Sequence, residues 1–280
     1  MKLLVTGGSG FFGSRIGKAY QGICPGHGEM DILDRKSIEM AFERIKPEMV
    51  VHCAAVSDVG WCGQNPEKSW QINVEGTENI ARVCGKWGAR LIYCSSDQVY
   101  FGSSEKNAHK ESEKLVPANE YGRQKLEAEK RCFAYCEDSV ALRLSWMYDM
   151  EKQQEKEHGN FMLTLMETVA SGREMAYPVY DYRGITDVRL AVENMEKVFG
   201  LPSGIYNYGS ENSYNTYETV YRLLGNVGLP VERLEKNMEA FADSPRNIRM
   251  DMGKLKAQGI EFPDTLTRLA SVFVKPDTMP

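Results

Sequence analysis

Tyr121 and Lys125 stand four residues apart, one helical turn, so a phenol and an ammonium share a face if the segment is helical. An ammonium beside a phenol favours the phenolate and lowers a pKa that is ordinarily about 10, which makes tyrosine usable as a general acid or base. Spacing alone decides nothing. Fourteen tyrosines and 18 lysines in 280 residues give about one such pair by chance, and Tyr148-Asp-Met-Glu-Lys152 is a second instance. Placement separates the two. Tyr121 opens a helical pattern about 25 residues after Cys94-Ser95-Ser96-Asp97, at the carboxyl end of an apolar strand, where α/β sheets bind ligands. Tyr148 leads into a charged stretch. A serine hydroxyl at that strand end can donate to a carbonyl oxygen, or it can simply cap the strand.

A second group of residues suits a pyrophosphate. Thr6-Gly7-Gly8-Ser9-Gly10-Phe11-Phe12-Gly13 puts glycines at 7, 10 and 13, between the first aliphatic run and the first helical segment. Glycines there allow a tight turn and let backbone N–H groups at a helix N-terminus approach a diphosphate. Gly10 is the expected point of closest approach, in a turn with positive φ. A P-loop is nearly spelled, but Ser14-Arg15 stands where Lys-Ser/Thr is required, so ATP hydrolysis is disfavoured. A carboxylate about 20 residues past the turn would bind the adenosine ribose and favour NAD. Here the one short strand available, Ile23-Cys24, ends at Pro25-Gly26 without an acid. Asp31 comes too late for that strand, leaving the end of a third strand, near the adenine, as its alternative place. The balance leans towards NADPH over NADH.

Both groups need a scaffold, and the chain supplies alternating elements. Lys2 to Thr6 reads as a strand and Gly13 to Tyr20 as a helix. Asp34 or Ser37 can cap a helix carrying Ile38, Phe42 and Ile45 before Pro47. Met49 to Ala55 is a buried strand, and Trp70, Val74, Ala81 and Cys84 outline one long helix closed by Gly88. Ala89 to Cys94 is a strand, Tyr121 to Tyr135 a helix, Val140 to Leu144 a strand. Apolar strands alternating with crossover helices imply an α/β fold with a doubly wound parallel (Rossmann) sheet. Regularity ends after Trp146. Glu151 to His158 reads as a solvated loop, Phe161 to Gly172 and Val188 to Phe199 as helices, Tyr177 to Gly184 as turns, and Gly204 to Tyr208 as a strand. The expected division is a dinucleotide-binding domain over 1–150. A smaller C-terminal lobe over 151–280 would mainly bind substrate, with segments returning to the first domain.

Composition narrows the classes. A formal charge of -5 lacks the basic excess that holds a polyanion, so nucleic acid is not an expected partner. The longest apolar run, Met49 to Val56, is interrupted by His52 and falls far short of the roughly 20 residues of a membrane span. Only Leu3-Leu4-Val5 is apolar before the first glycines, too little for a secretory signal, and a cytoplasmic location is expected. Seven cysteines, an odd number without C-x-x-C, read as reduced and mostly buried thiols. Four scattered histidines give no support to a metal site.

Taken together, these residues resemble the extended short-chain dehydrogenase/reductases, and specifically the dTDP-4-dehydrorhamnose reductase family. The resemblance is carried by TGGSGFFG at 6–13, DILD at 31–34, VVHCAAVSDV at 50–59, INVEGTENIA at 72–81 and YCSSDQVYFG at 93–102. It continues through PANEYGRQKLEAE at 117–129, LRLSWMYD at 142–149, GIYNYGS at 204–210 and PRNIRMDMGKL at 245–255. The resemblance implies that Ser96, Tyr121 and Lys125 are the catalytic hydroxyl, tyrosine and lysine. It implies that Gly7, Gly10, Phe11, Phe12 and Gly13 hold the dinucleotide together with Tyr121 and Lys125, that Ala54 and Ala55 line it, and that Asp31 and Ile32 flank its adenine. Val59, Ser96, Asp97 and Trp146 would face the substrate. Three departures stand out: Gln98 where the reductases usually have tyrosine, Gly60-Trp61-Cys62-Gly63 in place of a more acidic stretch, and Ser244 rather than arginine before Pro245. Nothing matches the glutamates that bridge a metal-dependent dimer in some reductases, so neither a metal nor an obligate dimer is expected.

The activity so implied is NAD(P)H-dependent reduction of a keto group on a nucleotide-activated deoxysugar. Two alternatives stay open. One is an NAD-dependent nucleotide-sugar epimerase or dehydratase of the same superfamily. The other is a non-catalytic regulatory subunit, a use to which the fold is put in the methionine adenosyltransferase system.

Overall fold

The computed structural model describes residues 1–103, 105–153 and 159–273. Its centre is a five-stranded sheet. In order across the sheet lie β1 (Leu3–Thr6), β2 (Met49–His52), β3 (Arg90–Ser96), β4 (Ser139–Leu144) and the strand Gly204–Tyr208. The first three pairings are parallel, with Thr6 opposite His52, His52 opposite Tyr93, and Ser96 opposite Leu144. All four carboxyl ends therefore fall at one edge, and the expected doubly wound parallel sheet is found.

Local chemistry explains the elements that matter. The helix α1 (Phe11–Ala19) follows the glycine turn directly. The next, α2 (Arg35–Ile45), is capped by Asp34, whose side chain accepts from the Lys36 N–H at 3.0 Å; Ser37 instead accepts from the Asp31 N–H. It buries Ile38, Ala41, Phe42 and Ile45 and stops at Lys46, in the left-handed region just before Pro47. Two short helices, α3 (Val59–Gln64) and α4 (Pro66–Trp70), come next, then a π-helical turn over Gln71–Gly76 and α5 (Thr77–Trp87). One long helix ending at Gly88 was expected. The end is as read, with Gly88 at φ +67, but the interior widens by a π turn. The helix α6 (Glu120–Tyr135) starts under the Asn119 side chain, which accepts from the Gly122 N–H at 2.7 Å.

Other differences are local. The third strand runs two residues past Cys94, to Ser96, and the second stops at His52 rather than Ala55. Ile23 pairs with Leu4 as an isolated bridge, so the short strand read at Ile23-Cys24 shrinks to one residue. Asp31 lies in neither that strand nor another; it precedes α2 in a turn, where its carboxylate accepts from the Leu33 N–H at 2.9 Å. The expected strand position is therefore corrected: Asp31 opens a turn closed by the Asp34 N–H on its carbonyl at 3.1 Å and braced by its side chain. The segment read as one helix from Val188 breaks at Asn194, and the turn-rich stretch contains the short strands Met175–Pro178 and Asp181–Tyr182.

Two compact units emerge, neither continuous in sequence. The first comprises 1–101, 114–144 and 192–206; its core is built from Leu4, Ile38, Phe42, Val50, Ile80 and Leu91 with their neighbours. The second comprises 102–113, 145–191 and 207–280 and packs Tyr148, Phe161, Leu165, Ile185, Val220 and Leu223. The charged stretch read as a loop falls, at 154–158, outside the described residues. Among those described, no helix is long and apolar enough to cross a membrane.

Candidate active site

The glycine turn packs against the chain leaving β2. A Cβ on Gly7 would come within 2.6 Å of the Ala54 nitrogen, and one on Gly13 within 2.3 Å of the Gly7 carbonyl oxygen. Gly7 also has φ +66, a conformation that side chains rarely adopt. Gly10 differs from what was expected: its φ is -82, it is exposed, and a Cβ there would meet only the Gly7 oxygen, at 3.2 Å. The positive φ belongs to Gly7, because that residue turns the chain over Ala54. No side chain caps α1, whose N-terminus begins beside the exposed Gly10, an arrangement suited to a diphosphate. Phe11 is half-buried under the Arg15 guanidinium, 4.1 Å above its ring, and Phe12 is buried in the core, where only its backbone can serve a ligand.

At the next strand ends, Ala54 and Ala55 are half-buried and the Ala54 N–H donates to Thr6 Oγ1 at 3.2 Å. Val59, at the start of α3, is partly exposed. Ile32 packs against the π turn, where its Cδ1 would lie 2.8 Å from a Cβ on Gly76. Trp146 belongs to the second unit, where it contacts Phe161 edge-on at 5.2 Å and lies under the Arg183 guanidinium at 4.6 Å.

Ser96, Tyr121 and Lys125 converge at the end of β3. The Ser96 hydroxyl donates to Asp97 Oδ1 at 3.2 Å and accepts from the Gln98 N–H at 3.2 Å, and it acts to lower the pKa of the neighbouring Tyr121 phenol. Ser95 is committed elsewhere, donating to Glu129 Oε1 at 2.5 Å within a buried ion pair of Glu129 with Arg143. Lys125 is buried, its ammonium donating to the Cys94 carbonyl at 2.8 Å and lying 4.9 Å from the Tyr93 ring centre and 5.7 Å from that of Tyr121. The Tyr148 pair is not comparable: Tyr148 is a core residue of the second unit.

Electrostatics correct one expectation. Burial pushes the Tyr121 phenol above its ordinary value, Asp97 adds to the rise, and the neighbouring Ser96 hydroxyl only partly opposes it. Lys125, its ammonium directed at the Cys94 carbonyl, is itself pushed below the usual lysine value by burial. Tyr121 is thus a protonated phenol at neutral pH, the form that can give a proton to an oxygen.

Sequence reasoning missed the supports behind this cluster. His52, on β2, is buried between Thr6 Oγ1 at 2.6 Å and Thr77 Oγ1 at 3.0 Å, and burial together with the Lys125 charge lowers its pKa to about 3. Thr77 donates to the Asn73 carbonyl, which leaves the neutral imidazole donating through Nε2 and accepting through Nδ1. Asn73, in the π turn, brackets Val56 and meets Gln124 of α6. Asn73 stands within INVEGTENIA at 72–81, so its place in a helix beside a polar face was the available signal. Cys53 and Cys94 lie with their sulfurs 3.4 Å apart. None of the seven cysteines forms a disulfide, and among the described residues no group of three or more His, Cys, Asp or Glu is placed to hold a metal ion.

Comparison with known proteins agrees with this architecture. The spore coat polysaccharide biosynthesis protein SpsK of Bacillus subtilis is 26% identical over 253 residues, covering 88% of this chain and 86% of that protein. The methionine adenosyltransferase 2 subunit beta of Xenopus laevis is 27% identical over 286 residues, covering 92% and 83%. The crystal structure of dTDP-4-dehydrorhamnose reductase from Bacillus anthracis in complex with NADP superposes with a TM-score of 0.84 at 20% identity, covering 98% of this chain and 99% of that one. The family profile described as RmlD substrate binding domain matches residues 1–275, nearly the whole sequence with its glycine turn and its serine, tyrosine and lysine. This chain belongs to that family.

Proposed function

We propose that this chain reduces a ketone on a nucleotide-activated deoxysugar, using a nicotinamide dinucleotide, NADPH in preference to NADH. The observation that carries the reading is the meeting of three side chains at the carboxyl end of the sheet: Ser96 closes β3, Tyr121 is buried at the start of α6, and Lys125, one turn further along that helix, holds its ammonium on the Cys94 carbonyl 5.7 Å from the Tyr121 ring centre. When bound, the reduced nicotinamide supplies the hydride. Tyr121 gives its proton to the ketone oxygen as charge develops there, and Ser96 donates to the same oxygen and fixes its position. Lys125 keeps a positive charge beneath the site, held by the Cys94 carbonyl, where it can steady the phenolate left on Tyr121 and bind ribose hydroxyls. The turn at Gly7, Gly10 and Gly13 receives the diphosphate, Ala54 and Ala55 form the wall beside it, and Asp31 and Ile32 flank the adenine. Val59 and Asp97 are assigned to the sugar.

The membership of the family described by substrate binding and the likeness to a reductase solved with NADP support this reading. The preference for NADPH rests on the missing acid after Ile23-Cys24. The test is dinucleotide consumption with dTDP- and UDP-linked 4-keto-6-deoxysugars, using NADPH and NADH. Ketone-dependent oxidation is expected, with Tyr121→Phe reducing turnover about 10²- to 10⁴-fold while dinucleotide binding survives. Conversion of a sugar without net consumption would move the chain to the epimerases and dehydratases. Unchanged turnover in Tyr121→Phe would remove the assignment of the proton donor.

A further inference from the structure

Gln124 lies between Tyr121 and Lys125 in α6, is fully buried, and has both polar atoms of its side chain engaged. Its Nε2 donates to Ser69 Oγ at 2.8 Å and lies within 3.3 Å of the Pro66 carbonyl and 3.2 Å of Glu120 Oε1. Its Oε1 accepts from Asn73 Nδ2 at 2.8 Å. Asn73 in turn donates to the Val56 carbonyl at 3.0 Å and accepts from the Val56 N–H at 2.8 Å, so one side-chain amide pairs with both backbone groups of one residue, as a neighbouring strand would. The direction of the chain of bonds is fixed. The Ser69 hydroxyl spends its proton on the carbonyls of Asn65 and Pro66, at 2.9 and 3.1 Å, so it must accept from Gln124 and leave Oε1 facing Asn73.

We infer that Gln124 is a positioning residue: through Asn73 it locks the Val56 backbone, and with it the segment from Ala54 to Val59, to the helix that carries Tyr121 and Lys125. The π turn over Gln71–Gly76 is where the chain presents Asn73 to both partners, and such turns recur at functional sites. Reaction geometry is sensitive at this level, since misplacement of about 1 Å can cost on the order of 10²-fold in rate. The catalytic consequence rests on the function proposed above; the lock itself does not.

Two variants test it. Gln124→Met keeps the length of the side chain and removes both bonds, while Ser69→Ala withdraws only the anchor on α4 and favours the helix. Backbone hydrogen exchange, read far below the unfolding temperature, should speed up about tenfold or more at the Val56 amide in Gln124→Met, and less in Ser69→Ala, with protection in β1 to β4 unchanged. Ketone reduction should fall in kcat about 10- to 100-fold in Gln124→Met, with the Kd for NADPH moving less than threefold. Unaltered exchange at Val56 in both variants, or a uniform rise across the whole sheet, overturns the inference. Because exchange needs no substrate, it decides for or against the lock even if the wild-type chain reduces no ketone; slower turnover with unaltered exchange would also count against the lock.

Discussion

His52 is a single buried residue that should make the protein's stability depend on pH in acid. Its folded pKa of about 3 lies below the ordinary 6.5, so between these values the unfolded chain takes up a proton that the folded chain refuses. Stability must therefore fall as pH falls through this window, by on the order of 4–5 kcal/mol from this one group. Chemical denaturation at a series of pH values should show a slope between pH 6.5 and 4 that is shallower by close to one proton in His52→Gln; an unchanged slope would mean that other groups dominate. None of this was legible in the sequence, where His52 merely interrupted an apolar run. Its partners Thr6 and Thr77 lie 46 and 25 residues away, and only the parallel register brings them together. The Tyr121–Lys125 pair was readable because a helical spacing is a local pattern, whereas the choice of Ser96 over Ser95 came from the family resemblance. The height of the Tyr121 pKa was not readable, since burial by distant segments outweighs a neighbour four residues off.

The turn from β1 into α1 divides its glycines into two kinds. Gly7→Ala should destabilise by more than about 1 kcal/mol, because φ is positive there and the methyl group meets the Ala54 backbone. Gly10→Ala should leave the unfolding temperature nearly unchanged, with φ at -82 and a single contact at 3.2 Å, yet reduce the stabilisation given by NADPH. Thermal unfolding of both variants with and without saturating NADPH checks the pair; an undiminished NADPH response in Gly10→Ala would remove the diphosphate from this turn. The apolar elements of the first unit were read well, β1 to β4 and α2 above all. The π turn was invisible, since Gln71 to Gly76 carries nothing that distinguishes it from an ordinary helix. The helices Thr216–Asn226 and Thr265–Val272 had a signal in their caps, Asn215 and Asp264, that went unread. The two-residue strands of the second unit have no period to detect.

At the scale of the molecule, the first unit is completed by residues far along the chain. Tyr20, just after α1, donates to the Val192 carbonyl at 2.7 Å and packs edge-on against Phe199 at 5.1 Å, and the fifth strand borders β4. A fragment of residues 1–150, which the sequence suggested as a domain, lacks all of these. It should show no cooperative thermal transition by circular dichroism, and a sharp two-state melt would show that the later segment is dispensable. The same threading has a temporal side. The strand that covers β4 begins at Gly204, about 60 residues after Leu144. At the usual 5–20 residues per second of translation, the ribosome needs roughly 3–12 s to deliver it. Throughout that interval Ser-Val-Ala-Leu-Arg-Leu lacks the strand that covers it, its amides and carbonyls on that side available to any passing strand, a stage of synthesis at which a chaperone has something to protect.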